Sequence, residues 1–259
     1  MLNLLAADII ERFYAFMWPM LRISALMLTA PILAQNAINT RMRILIALVL
    51  TWLVYPLHQW PRLDPVSAQG LLQIFNQIGI GALMGLVLQM VVAAVVVGGQ
   101  SISSAMGLSM ANMIDPNLGS VPVISQFLLV LASLIFVGFG GHAILLSIVS
   151  ESFETIPIGT SILNQALLGK VVQWSSMMFL GALLMALPVM VFLLFINVGL
   201  GIVTRAAPSL NIFAVGFPAM TLAGFLVLIV SMDAVGGRID WLWMQAFGVV
   251  RELTGVGRV

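Results

Sequence analysis

The chain has no cysteine among its 259 residues, only two histidines, and charged side chains at 7% of positions. Without cysteine there can be no disulfide, thiolate metal site, cysteine nucleophile or iron–sulfur cluster. With His58 and His142 alone and no HExxH pair, a metal site would need carboxylates that the sequence scarcely supplies. Each lone histidine reads as a packed or interfacial residue rather than a ligand. Soluble domains carry about 25% charged residues, so this scarcity excludes that class. A net charge of +1 points neither to nucleic acid nor to an acidic partner. No GxSxG elbow, P-loop or dinucleotide fingerprint occurs, and no cofactor is expected. Residues 1–12 place Asp8 and Glu11 where a cleaved signal needs a basic stretch, so insertion is expected to begin at the first internal apolar segment.

What is present is apolar: 61% of residues are hydrophobic and the mean hydropathy is +1.15. The sequence is that of an all-α integral membrane protein with about six hydrophobic segments, in one domain spanning 1–259. The segments run over residues 13–34, 44–57, 71–97, 121–149, 171–200 and 212–232. The second is short for a span and closed by Pro56, which suits a re-entrant or protein-buried helix. The first contains Arg22, whose insertion into hydrocarbon costs about 2.5–3.5 kcal/mol, so Arg22 should face protein, water or headgroups. Pro188, followed by Gly199 and Gly201, suggests a kink or a hairpin in the fifth. Gly236-Gly237 before Arg238 reads as a helix end. Gly81-Ala-Leu-Met-Gly85 matches GxxxG, which most often means close packing within the chain. If the six segments alternate, the basic residues slightly favour cytoplasmic termini.

Between Pro65 and Ser150 the only charged side chain is Asp115. It sits in the polar stretch Gly107-Leu-Ser-Met-Ala-Asn-Met-Ile-Asp-Pro-Asn-Leu-Gly119, between two membrane-length runs. Met106, Met110 and Met113 punctuate this stretch, among the chain's 17 methionines. Methionine is flexible and polarizable: it fills irregular packing, and lining a pore it forms a yielding hydrophobic seal. Asp115 reads either as the acid of a transporter or as a turn former fixed by Pro116. The first reading makes the chain a self-sufficient small-solute transporter or channel. Little else supports it, since no internal repeat and few other intramembrane charges are present.

Three stretches resemble the FliR family, the R-type export-gate subunits of type III secretion systems. They are Gly107–Gly119 followed by Phe139-Gly-Gly-His142; Gly201-Ile-Val-Thr-Arg-Ala-Ala-Pro-Ser-Leu-Asn-Ile-Phe-Ala-Val-Gly-Phe-Pro218; and Leu21-Arg-Ile-Ser-Ala-Leu-Met-Leu-Thr-Ala-Pro31, with Arg41 and Arg43 beyond. The resemblance covers nearly the whole chain. It implies bent helical hairpins packed into a helical export-gate assembly, lifted partly out of the bilayer, with a P-like N-terminal and a Q-like C-terminal part. It implies P-type and Q-type partners (FliP and FliQ), an FlhB-type switch protein, membrane lipid, and unfolded polypeptide as cargo. It also implies the inner membrane and the flagellar basal body, with no enzymatic activity. Carried over by residue, Gly107, Met110, Met113, Asp115, Pro116 and Gly119 would form a plug loop, with Met110 and Met113 as seals. Arg205, Pro208, Asn211, Gly216 and Pro218 would form a structural brace.

Overall fold

The structure, a computed structural model, describes residues 2–31, 39–61, 63–108, 122–160, 165–206 and 212–257. Among them are eight α-helices and no strand: α1 Leu2–Thr29, α2 Thr40–Val54, α3 Ala68–Ala105, α4 Val123–Gly138, α5 Gly141–Thr155, α6 Gln165–Ala206, α7 Ile212–Val230 and α8 Met232–Thr254. A short 3₁₀ turn, Tyr55–Leu57, follows α2. Two of these helices, α2 and α3, start on side-chain caps. Asn39 accepts from the Arg41 amide, and the Ser67 hydroxyl accepts from Gly70 N at 3.0 Å.

Among the described residues, three helices are long and apolar enough to cross a membrane, rising to five spans if each of two bent pairs counts as one. The second apolar segment is one of the three. The 3₁₀ turn extends it to 18 residues, and only 17% of it is buried, so this chain does not bury it as the sequence suggested. The run expected over 121–149 is instead broken. Gly140 adopts φ 74°, which glycine reaches without penalty, and α4 and α5 meet at a bend of 62°. A second bend, of 61°, falls at Ser231 between α7 and α8. Gly236 and Gly237 do not end a helix; both lie inside α8, where a Cβ would meet nothing within 4 Å. Nor is there a hairpin at Pro188: α6 is continuous through it for 42 residues. At 1.5 Å per residue α3 and α6 are about 57 and 63 Å long, roughly twice the hydrocarbon thickness.

Backbone contacts divide the chain into two compact units: Met1–Met90 with Gly140–Ser175 and Gln245–Val259, and Val91–Phe139 with Ser176–Met244. In the first unit the GxxxG pair seats α3 on α1. A Cβ on Gly81 would overlap the Arg22 carbonyl oxygen, and one on Gly85 would overlap Thr29. The glycines therefore permit backbone-level approach within the chain. That contact positions Arg22, which is 0% exposed. Its Nε donates to Gln77 Oε1 at 2.8 Å. One terminal nitrogen donates to the Ser152 carbonyl at 2.8 Å and its hydroxyl at 2.9 Å. The other reaches the Ile156 carbonyl at 3.0 Å. The guanidinium lies 4.3 Å from the centre of the Phe153 ring. None of these partners is a carboxylate. The charge is met by neutral oxygens at the C-terminal end of α5, where the helix dipole is negative, and by a ring face. Arg22 thus faces protein, as expected.

The second unit packs in the same way around small residues. Gly99 lets α3 approach Ser125 of α4, whose hydroxyl donates to the Val96 carbonyl at 3.1 Å. Gly181 makes room on α6 for Leu242. Trp243 is fully buried, lies tilted against Phe136 at 4.8 Å between ring centres, and donates its indole N–H to the Ala132 carbonyl at 3.1 Å. This is how a buried tryptophan satisfies its single donor.

Candidate functional site

The end of α3 is where the chain leaves the second unit's core for the Met-bearing stretch. Leu108 N donates to the Ser103 carbonyl at 3.1 Å and Gly107 N to the Ser104 carbonyl at 3.0 Å. With Gly107 at φ 80°, this is a Schellman cap, the left-handed ending that glycine supplies without Cβ strain. The residue before it, Met106, is 0% exposed and is received by Gly224 of α7. A Cβ at Gly224 would overlap the Met106 side chain, and a Cβ at Gly107 would sit 3.5 Å from the Phe217 ring. The root of the stretch is therefore held by α7 on two sides.

Beside this root lies a cleft of about 370 Å³. Its walls are the α3 end (Met106, Gly107), the α6 residues Asn197, Leu200 and Gly201, and Gly216, Phe217 and Met220 of α7. Two motifs that are far apart in sequence thus meet at one place: Gly107 opens the first, and Gly201 and Gly216 belong to the second. Met106 corrects the sequence reading. It is not a loop methionine beside Met110 and Met113 but a core residue that locks the cap. Its partner Gly224, together with Phe217 and Met220, had not been singled out. The available signal was Gly107 itself, a glycine following a long apolar helix.

Of the remaining residues, Gly216 is buried and Pro218 is exposed within α7. Arg205 is exposed in the last turn of α6, where a cation suits the helix dipole. Among the described residues it makes no hydrogen bond or ion pair. Met110, Met113, Asp115, Pro116, Gly119, Pro208 and Asn211 lie outside the described residues. His142 is exposed, whereas His58 is packed against Trp60 and Phe153. Among the described residues no three His, Asp or Glu side chains gather as a metal site would require.

The notch predicts a second-site rescue. Gly224→Leu should push Met106 out of its seat and lower the thermal midpoint, since overpacking costs about 1–3 kcal/mol. Adding Met106→Ala should recover part of that loss. Equal midpoints for the single and double variants in a thermal-shift assay would show that Met106 is not what Gly224 accommodates.

Residues 13–246 match the model of the family described as bacterial export proteins, family 1. The chain is 33% identical to the flagellar biosynthetic protein FliR of Pectobacterium carotovorum subsp. carotovorum, over 98% of this chain and 97% of the relative. It is 33% identical to FliR of Escherichia coli strain K12, over 92% of each. With FliR of Bacillus subtilis strain 168 the identity is 32%, over 88% of this chain and 90% of that protein. A capped helix end, two bent helix pairs and membrane-length apolar helices thus occur in a chain that aligns from end to end with flagellar biosynthetic proteins. The chain belongs to the family of bacterial export proteins, family 1.

Proposed function

We propose that this protein is a non-enzymatic subunit of the flagellar type III export gate, and that it helps to form and to plug the channel for unfolded flagellar proteins. It is a membrane-embedded component of the flagellar export apparatus. The gate would lie in the bacterial inner membrane at the flagellar basal body. It would be completed by FliP and FliQ, with the FlhB-type protein alongside. The whole chain would act as one export-gate domain, P-like at its N-terminal part and Q-like at its C-terminal part. The observation that carries the plugging role is the root of the Met-bearing stretch: Gly107 caps α3 while Met106 and Phe217 clamp it, beside a cleft shared with the 201–218 motif. A stretch anchored this firmly at its base can hold Met110 and Met113 in a lumen. Those side chains would exclude ions yet yield to a polypeptide. Asp115-Pro116 would set the turn, and Arg205, Pro208, Asn211, Gly216 and Pro218 would brace it.

The test is leakage. Met110→Gly with Met113→Gly, expressed with the partner subunits, should raise small-ion flux across the inner membrane several-fold over wild type. A membrane as tight as wild type would remove the sealing role. The rival reading, a small-solute transporter using Asp115, is not favoured by the family. It requires that Asp115→Asn abolish solute flux and leave motility intact; the gate reading expects no such uncoupling.

A further inference from the structure

The loop after α2 builds a second feature that the export reading does not use. Two hollows, of about 600 and 460 Å³, share Trp60 and Pro61 as lining residues. Their sizes fall within the range of about 300–1,000 Å³ usual for binding pockets. The aromatic wall is fixed in place. Trp60 Nε1 donates to the Tyr55 carbonyl at 2.8 Å, and the two rings stack at 6.1 Å with 10° between their planes. Phe153 meets Trp60 edge-on at 5.2 Å between centres. The smaller hollow has Glu154 at its rim, 73% exposed. The larger has Glu11 and Asp64. Asp64 spends one carboxylate oxygen on Val66 N at 2.9 Å.

Among the described lining residues, three carboxylates stand against the single guanidinium of Arg12, and against two if Arg62, adjoining in sequence, is added. Arg22 lies behind Phe153, but its donors are directed to the end of α5. The most telling group is His58. Its side chain is only 10% exposed, it lines the smaller hollow, and among the described residues neither ring nitrogen has a hydrogen-bond partner. Nε2 lies 3.5 Å from Glu154 Oε1, too long for a hydrogen bond of ordinary strength. A buried polar group without a partner is costly, so a ligand that meets it gains accordingly.

We infer that this double hollow binds an extended basic segment of another protein, with an arginine or lysine side chain seated among His58, Trp60, Phe153 and Glu154. Aromatic faces and a carboxylate are what a guanidinium or ammonium group needs. A neutral imidazole offers one donor and one acceptor, which matches a peptide backbone better than a bare ion. Beyond Trp60-Pro61, Asp64 would meet a second basic residue. None of this depends on the gate reading, so the inference stands or falls separately from it.

The test uses the full chain in detergent and a labelled synthetic peptide of alternating arginine and proline, with a glutamate–proline peptide as control. Saturable binding of the basic peptide alone is expected, weakening as salt is raised. Glu154→Gln combined with Asp64→Asn should raise Kd about tenfold or more. Both side chains are exposed, so the variant should remain folded, which its unchanged thermal midpoint would verify. His58→Ala should weaken binding while Lys170→Gln, elsewhere in the same unit, should not. Equal affinity in the carboxamide variant, equal binding of the acidic peptide, or displacement of the peptide by phosphatidylcholine vesicles would overturn the inference.

Discussion

Arg22→Met should leave little folded protein in the membrane. The substitution keeps much of the side chain's length but strands the Gln77 amide oxygen and the Ile156 carbonyl, while the Ser152 hydroxyl and carbonyl keep only their bonds to Val149 O and Ile156 N. Each buried polar group left without a partner costs about 1–3 kcal/mol. Two such groups, together with the lost links between α1, α3 and α5, take a large share of a domain's net stability of about 5–15 kcal/mol. Arg22→Lys should recover only part of the loss. An ammonium carries charge but cannot present a planar fork to Gln77 on one side and α5 on the other. Size-exclusion of a fluorescently tagged chain would report the amount of folded protein, and a thermal-shift assay its midpoint. If Arg22→Met matched wild type in both, the network would be incidental to the fold.

The sequence announced that Arg22 had to be accommodated but could not say by what. Its partners lie 55 to 134 residues away, a separation that no local pattern encodes. The same holds for Met106 and Gly224: the cap at Gly107 was legible as a local rule, and the notch that holds it was not. Helix directions are the least legible feature of the sequence. Hydropathy measures compatibility with lipid, not the course of an axis, so α4 and α5 looked like one run although they meet at 62°. The Ser231 bend carries no Gly or Pro to announce it, while Gly236 and Gly237, which do look like punctuation, stay helical. By contrast, the all-α class, the long apolar helices and the intramolecular use of GxxxG all followed from composition and spacing. The family resemblance supplied what physics alone did not, namely the expectation of a plug loop over Gly107–Gly119 and of a structural brace in the 201–218 stretch. Gly107 of the first stretch and Gly201, Gly216 and Phe217 of the second line one cleft.

Gly81→Ala, a single methyl group, should be nearly as damaging as the loss of Arg22, and for a connected reason. The added Cβ would overlap the carbonyl oxygen of Arg22 itself, and it would come within 3.0 Å of Ala25 Cβ. A clashing side chain can turn away, but a backbone oxygen inside α1 cannot, so the two helices must separate. Overpacking of this kind costs about 1–3 kcal/mol, and the upper end is expected where backbone blocks the way. Separation would also draw Arg22 away from Gln77, so Gly81→Ala and Arg22→Met should be non-additive by more than the usual few tenths of a kcal/mol. Gly237→Ala is the internal control. It lies in a helix with open space where the Cβ would go, and should be neutral or raise the midpoint, since alanine is better than glycine in a helix by about 1 kcal/mol. The order expected in a thermal-shift series is therefore Gly237→Ala at or above wild type and Gly81→Ala far below. A Gly81→Ala protein melting with wild type would mean that α1 and α3 are not in backbone contact, and the seat built for Arg22 would go with that contact.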